Sequence, residues 1–368
     1  MVEVADVFRR HGPQYRLKFE ARMPKVHVQA MRAIEQCRTP ALGGELYACD
    51  RCASLRYSYH SCGNRSCPKC QNEQATRWLE AQKTLLLPVP YFMMTFTLPE
   101  ELRDLARAHQ KVLYGIMFRA SAAAGLKLAR DPRHLGGLAG LLGVLQSWTK
   151  DMTYHPHIHY LVPGGALSPD GTAWLEGRYK DWLVPVKALS KLFRGKVRAM
   201  LAKLEWLDRV PHRVWKKPWT VHCEPVGTGR EVLKYLAPYI RRIAITNSRI
   251  KSLDGDQVTF QLKHGQRRTL AAEEFIRRLL QHVLPNGFQK VRYYGLLSPT
   301  CRARLEDAKK LLRSTAPEED SKDPLVPQDP QMPTVGSRGE NRRCRKCGGM
   351  LVFVRRLEAN ERAPPKST

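Results

Sequence analysis

Apolar residues along this chain change their period several times, and each change marks an element. Tyr91-Phe-Met-Met-Thr-Phe-Thr97 is a short aromatic and apolar run stopped by Pro99, the pattern of a buried strand. Gly140 to Trp148 and His155 to Val162 read as two more strands, joined by a polar turn through Lys150-Asp151. A second turn signal, Ser168-Pro-Asp-Gly171, follows almost at once. Elsewhere the period lengthens to that of helices: Gln71 to Leu86, closed by Pro88-Val-Pro90, then Glu101 to about Arg130, Lys187 to Trp206 and Glu273 to Val283. Trp215 to Cys223 returns to a strand, and Thr228-Gly-Arg-Glu231 has the spacing of a capping box, predicting a helix that starts near Gly229. From about Ser314 to Gly339 the chain turns to Pro, Asp, Glu and Ser with few apolar residues, the composition of a disordered linker. No internal repeat is visible.

Composition narrows the function classes. The 368 residues suffice for two or three domains, and 43% hydrophobic residues suffice for a core. With 62 Lys+Arg against 34 Asp+Glu the net charge is +28 and the pI ≈ 10.0, so nucleic acid is the first partner to consider. No apolar run approaches the ~20 residues of a membrane span. The acidic start Met1-Val-Glu-Val-Ala-Asp-Val-Phe does not look like a signal peptide. The expected compartment is a reducing cytoplasm, where cysteines are read as metal ligands before disulfides.

Six of the 10 cysteines fall early, at 37, 49, 52, 62, 67 and 70. Cys49-x-x-Cys52 and Cys67-x-x-Cys70 are two knuckles that frame an aromatic, hairpin-like segment, Leu55 to His60. Each knuckle aims two thiolates at one point, so the pair is expected to build one tetrahedral, structural zinc site. Cys37, His60 and Cys62 are left to a second site, an exchange into the first, or simple burial. Cys344-x-x-Cys347, in the very basic tail, has no visible second pair; it is half of a site completed elsewhere or an unliganded tail.

His155-Pro-His157-Ile-His159 carries the sharpest chemistry. Alternate residues of a strand share a face, and a core has no use for a row of ionisable rings. Neighbours at i and i+2 lie ~6.6 Å apart and i, i+4 ~13 Å apart, so His157 and His159 can chelate one ion while His155 supports it or contacts substrate. The third ligand should come from an adjacent strand, with Gln146 the candidate if Gly140 to Trp148 pairs here. The spacing satisfies both the histidine-triad nucleotide hydrolases and transferases, where a histidine attacks, and the HUH single-strand endonucleases, where a tyrosine does. Lys234-Tyr235-Leu-Ala-Pro-Tyr239-Ile-Arg-Arg242 offers two tyrosines at i and i+4 among cations, although Pro238 inside that helix should kink it and makes Tyr235 the safer nucleophile. Trp206, Trp215 and Trp219 are stacking surfaces for single-stranded DNA or core residues.

Taken in order, Cys37-Arg-Thr-Pro-Ala-Leu-Gly-Gly44, Ser61-Cys-Gly-Asn-Arg-Ser-Cys-Pro-Lys-Cys-Gln71, Phe96-Thr-Leu-Pro99, Tyr154-His-Pro-His-Ile-His159, Tyr235-Leu-Ala-Pro-Tyr239, Glu274-Phe-Ile-Arg-Arg278 and His282-Val-Leu-Pro-Asn-Gly-Phe288 resemble the two-tyrosine HUH transposases of the insertion-sequence-ninety-one group. The resemblance implies an α+β protein: an N-terminal zinc-ribbon-like module, then an HUH endonuclease domain with a central antiparallel sheet flanked by helices. The segments would be 1–88 (zinc-binding, DNA-contacting), 89–312 (HUH nuclease), 313–341 (linker) and 342–368 (basic CxxC tail). It also implies structural zinc, Mg or Mn on His157 and His159, and Tyr235 and Tyr239 as paired nucleophiles. The partners would be single-stranded DNA and transposon-end hairpins, cut and rejoined by a rolling-circle route. A plasmid replication initiator or relaxase would share the chemistry. Glu45 and Ser66 stand where the family often has histidine.

Overall fold

The computed structural model describes residues 2–70, 78–178, 181, 183–228, 233, 244–262, 265–314 and 343–363. In chain order these form α1 (Val4–Phe19), α2 (Lys25–Gln36), β1 (Gly44–Cys49), β2 (Leu55–Tyr59), β3 (Pro90–Thr97), α3 (Arg103–Ala108) and α4 (Gln110–Ala129). Next come β4 (Gly140–Trp148), β5 (Tyr154–Pro163), β6 (Gly165–Leu167), β7 (Trp174–Glu176), α5 (Val186–Ala202) and β8 (Val221–Thr228). Then follow β9 (Ile250–Asp254), β10 (Gln257–Gln261), β11 (Arg267–Ala271), α6 (Ala272–Leu280), β12 (Val291–Gly295), α7 (Arg302–Ser314) and β13 (Leu351–Leu357). This is an α+β protein.

The chain divides into two units that cut across its linear order. Met1–Gln74, Thr246–Ile276 and Lys322–Thr368 make the first, and Ala75–Ile245 with Arg277–Ser321 the second. In the first, α1 and α2 are tied by Arg16 Nη1 to Glu35 Oε1 at 2.5 Å, a half-buried pair. The start of α1 is capped partly by a distant segment, since the Val4 N–H donates to Asn247 Oδ1 at 3.1 Å. Two three-stranded antiparallel sheets complete the unit, in the orders β13-β1-β2 and β11-β10-β9. The C-terminal segment that reads as a basic tail therefore supplies an edge strand to the N-terminal module.

The second unit is built on one antiparallel sheet, β12-β4-β5-β3-β8. Both its faces are covered, which explains why β4 is buried at all nine positions and why its residues 140–145 read as an apolar run rather than an alternation. On one face Phe96, Ile158, Tyr160 and Val162 pack with Phe118 of α4 and Phe193 of α5. On the other, Met93, Val144 and Leu161 pack with Leu233 and with Leu305 and Leu312 of α7.

Several expectations shift. The helix expected over Glu101 to Arg130 breaks at His109, whose ψ of 49° leaves helical space, giving α3 and α4. By length and composition α4 is apolar enough to cross a membrane, contrary to the expectation that no run approaches that size. But 72% of its apolar window is buried in the fold, so that surface is already covered. The strand expected from Trp215 begins at Val221 instead; Trp215 and Trp219 are 9% and 3% exposed and stack on each other at 5.7 Å. They are core residues, not an open surface for bases. The helix expected near Gly229 lies outside the described residues except for Leu233, which is helical and buried.

Tyr160 locks the central pairing. It lies opposite Gly143, and its buried hydroxyl is 2.8 Å from Ser121 Oγ while donating to the Phe118 carbonyl at 3.2 Å. A Cβ at Gly143 would stand 2.5 Å from the Tyr160 ring. Gly143→Ala should therefore cost about 1–3 kcal/mol, because a doubly held ring cannot retreat. A urea midpoint unchanged from wild type would contradict this packing.

Candidate functional site

The histidines sit where the apolar cover of one sheet face runs out. On β5, Leu161 closes the apolar cluster, and His159, His157 and His155 continue the same face towards the strand's start. Neighbouring strands flank the rings in register: Thr95 of β3 and Val144 of β4 flank His159, and Thr97 and Gln146 flank His157. His222 of β8 lies beyond Thr95 in the same row, exposed.

Hydrogen bonds separate the three rings into two roles. The His157 Nδ1–H donates to the His155 carbonyl at 2.7 Å, so in the neutral ring Nε2 keeps the lone pair that could bind a metal. His159 Nδ1 is 2.9 Å from Thr95 Oγ1, which orients that ring. The His157 and His159 ring centres are 4.7 Å apart, close enough to share one ion. His155 is different: its Nδ1 accepts from Arg103 Nη2 at 2.9 Å, so in the neutral ring the remaining nitrogen carries the proton and cannot ligate. That agrees with a supporting place for His155.

Gln146 supplies an independent sign of a ligand. Its amide donates to the Trp148 carbonyl at 2.9 Å, and its Oε1 is buried without a hydrogen-bond partner, on the face it shares with His157. A buried orphan carbonyl oxygen is costly unless something fills its coordination. Two imidazoles and this oxygen suit a hard divalent cation with open positions for water or phosphate. Thr95 and Arg103, which position the rings, carry no motif in the sequence; only strand and helix placement reveals them. Tyr235 and Tyr239 lie outside the described residues.

Burial keeps these rings neutral. It lowers His157 to about 3, helped by His159, and lowers His159 to about 4. His155 is also lowered, by burial and by Arg103. His282, expected only as part of a family-like motif, is a core histidine stacked on Tyr154; burial lowers it to about 4, and it bridges Ser147 Oγ and the Met152 carbonyl, each at 3.2 Å.

The cysteines rearrange the expected zinc site. Cys49, Cys52, Cys67 and Cys70 do not converge; the two knuckles belong to separate four-thiol clusters. Cys67 and Cys70 join Cys62 and Cys37, the residue that ends α2. Cys49 and Cys52, at the end of β1, join Cys344 and Cys347. A tetrahedral site with Zn–S near 2.3 Å has sulfur–sulfur edges of about 3.8 Å. Observed separations are 3.5 Å for Cys37–Cys70 and 3.6 Å for Cys62–Cys70 in the first cluster. The second has 3.4 Å for Cys49–Cys347 and 3.8 Å for Cys52–Cys344. In each, the contacts split the thiols: Cys37 is lowered to about 7, chiefly by Cys62, and Cys52 to about 6, chiefly by the Ser54 backbone N–H, while Cys62 and Cys67, chiefly through Cys37, and Cys347 are raised. His60 is exposed and belongs to neither. Spacing alone could not separate one site from two, because a knuckle carries no record of which other knuckle it meets.

Two outcomes follow from the histidine face. Gln146→Met should weaken Mn²⁺ binding about 10-fold while leaving the thermal midpoint in EDTA unchanged or raised; calorimetric titration and melting curves check both, and lost stability with unaltered Mn²⁺ affinity would contradict the role. Second, the unfolded chain, with histidines near 6.5, takes up protons before His157, His159 and His282 do in the fold. The stability carried by these neutral rings is thus complete above about pH 6.5 and lost as pH falls towards 4, by on the order of 2–3 kcal/mol per ring. Urea titrations in EDTA across that window should show the loss, and a flat profile would contradict it.

Comparison with known proteins adds the family. A family model described as “Putative transposase” matches residues 140–304, from β4 into α7. A second, described as “Transposase zinc-binding domain”, matches residues 7–98, which hold the whole first thiol cluster but only half of the second. The chain is 39% identical over 341 residues to “Putative transposase y4qJ” of Sinorhizobium fredii (strain NBRC 101917 / NGR234), covering 86% of this chain and 85% of that protein. It is 25% identical over 358 residues to “Transposase for insertion sequence element IS801” of Pseudomonas savastanoi pv. phaseolicola, covering 91% and 85%. No solved structure matches. A zinc-binding N-terminal module, a histidine-bearing antiparallel sheet and these matches lead to one conclusion: the chain belongs to the IS91 family of transposases.

Proposed function

We propose that this transposase is a metal-dependent HUH enzyme that nicks single-stranded DNA at element ends and transfers strands through 5′-phosphotyrosine intermediates, as rolling-circle transposition requires. The observation that carries this reading is the pair His157 and His159, held neutral beside the orphaned Gln146 oxygen where the apolar cover of the sheet face ends. These three residues would hold Mg²⁺ or Mn²⁺, which when bound draws charge from the non-bridging oxygens of the scissile phosphate.

Tyr235 is the nucleophile of the first step. Its phenol gives up a proton, the oxygen bonds to phosphorus, and the bond from phosphorus to the 3′ oxygen breaks, leaving a free 3′-OH and a 5′-phosphotyrosine. Tyr239 serves a second strand while the first stays attached. Support comes from Leu233, two residues before Tyr235, which packs among the apolar residues of the sheet face that carries the histidines. Arg107 over the Tyr154 ring at 5.2 Å and Lys290 over Trp148 at 4.5 Å put positive charge at the histidine end of β4 and β5, suited to a phosphate backbone. The overall +28 charge acts in the same direction. The substrates are single strands and element-end hairpins in the bacterial cytoplasm.

Incubation with end-labelled single-stranded hairpins and Mg²⁺ or Mn²⁺ tests this. The expected result is a covalent protein–DNA species that needs the metal, is lost in His157→Ala/His159→Ala, and falls at least 100-fold in Tyr235→Phe, the order of magnitude set by removing a catalytic nucleophile. Adducts unchanged in Tyr235→Phe/Tyr239→Phe would sink the tyrosine mechanism. Nucleotide hydrolysis that depends on His157, without any adduct, would indicate histidine-triad chemistry instead.

A further inference from the structure

We propose that Cys49, Cys52, Cys344 and Cys347 hold a second zinc ion, which clasps the C-terminal strand onto the N-terminal module. The matched zinc-binding domain ends at residue 98, so it does not account for Cys344 and Cys347. Their thiols nevertheless lie within 4.8 Å of those of Cys49 and Cys52, across a sequence separation of 292 between Cys52 and Cys344. Sulfur–sulfur distances of 3.4–3.8 Å are far too long for a disulfide, whose bond is about 2.05 Å, and suit the edges of a tetrahedral thiolate site.

The two knuckles share one backbone design. The Cys49 N–H donates to the Ser54 carbonyl at 3.0 Å and the Ala53 N–H to the Cys49 carbonyl at 3.0 Å. The Cys344 N–H likewise donates to the Gly349 carbonyl at 2.7 Å and the Gly348 N–H to the Cys344 carbonyl at 2.9 Å. The residue after the second cysteine has positive φ in both, 53° at Ala53 and 75° at Gly348. A backbone N–H, that of Lys346, also points at the Cys344 sulfur at 3.4 Å. Asp50 joins the knuckles, accepting from the Met350 N–H at 2.9 Å and donating its own N–H to the Met350 carbonyl at 3.0 Å. At Gly349 a Cβ would stand 2.9 Å from the Cys49 sulfur, so this close approach requires glycine. Four thiolates on Zn²⁺ leave a net charge of −2, and Arg51, Arg345 and Lys346 within the knuckles offset it.

Zinc also answers what holds β13 in place. That strand pairs with β1 from Leu351 to Leu357, yet Val352, Phe353 and Val354 are 53%, 51% and 49% exposed. Of its seven residues only Leu357 is buried, so apolar burial contributes little to docking it. Four thiolate bonds at the head of the pairing supply the missing anchor.

The test uses the full chain with His157→Ala/His159→Ala, so that zinc on the histidines is not counted, purified without chelator. Native mass spectrometry should find two zinc ions, falling to one in Cys344→Ser/Cys347→Ser and to one in Cys49→Ser/Cys52→Ser. In both serine pairs the amides of 351–357 should lose their protection from hydrogen exchange. With no serine change at all, Cys344 and Cys347 should resist iodoacetamide until a chelator removes zinc, which keeps the test decisive where a serine pair does not fold. One zinc in the unsubstituted cysteine background, or two retained in Cys344→Ser/Cys347→Ser, would overturn the site. So would alkylation of Cys344 and Cys347 at the rate of free thiols.

Discussion

The register of β5 between β4 and β3 is the constraint on which the site depends. Because strand side chains alternate with a period of two, a slip of one residue would turn every imidazole from one face to the other. His157 and His159 would then enter the cluster built by Ile158, Tyr160 and Val162 with α4 and α5, and those apolar side chains would leave it. Tyr160 opposite Gly143 and Leu161 opposite Leu142 hold the pairing where it is, with one large ring accepted by a residue lacking a side chain. The packing that stabilises the sheet is thus the same packing that aims the histidines, and the histidine face inherits its precision from the core.

From that register the chemistry follows by subtraction. Three imidazoles begin as equivalents. The His155 carbonyl accepts from the His157 Nδ1–H, and His155 Nδ1 accepts from Arg103, so identical side chains two residues apart are left with different free nitrogens, one a lone pair and one an N–H. Gln146 joins them on the same face from the neighbouring strand, with an amide oxygen that has no hydrogen-bond partner. Such an exception to good packing is expected where binding, rather than folding, has set the residue.

The N-terminal module shows a second way of reaching order, in which long-range contacts between thiols add to apolar burial. Joining residues 292 apart costs about 5–6 kcal/mol of chain entropy. Structural zinc at neutral pH returns ~10–16 kcal/mol, so the proposed second site has ample driving force to bring the C-terminus back. The strand pattern around Tyr91, the β4–β5 pair and the histidine face was legible in the sequence because each rests on local periodicity. The strands β9 to β11 were not, since each is five residues long and only β10 shows a clean alternation, Val258 and Phe260 buried between polar neighbours. The pairing of knuckles was not legible either, because Cys49 and Cys52 meet partners that no spacing rule connects to them. Trp215 and Trp219 illustrate the opposite failure: aromatic residues among basic ones suit both a core and a nucleic-acid surface, and burial alone decides between them.

In the proposed mechanism a covalent bond to a tyrosine joins the histidine face to transposition, and the decisive measurement is to find that bond. The protein, trapped on a single-stranded end hairpin with Mn²⁺, would be digested with nuclease and protease and sequenced by tandem mass spectrometry. A phosphodeoxynucleotide on Tyr235, with a minor population on Tyr239, is the expected result. A nucleotide carried by a histidine of 155–159, or a tyrosine elsewhere in the chain, would contradict it.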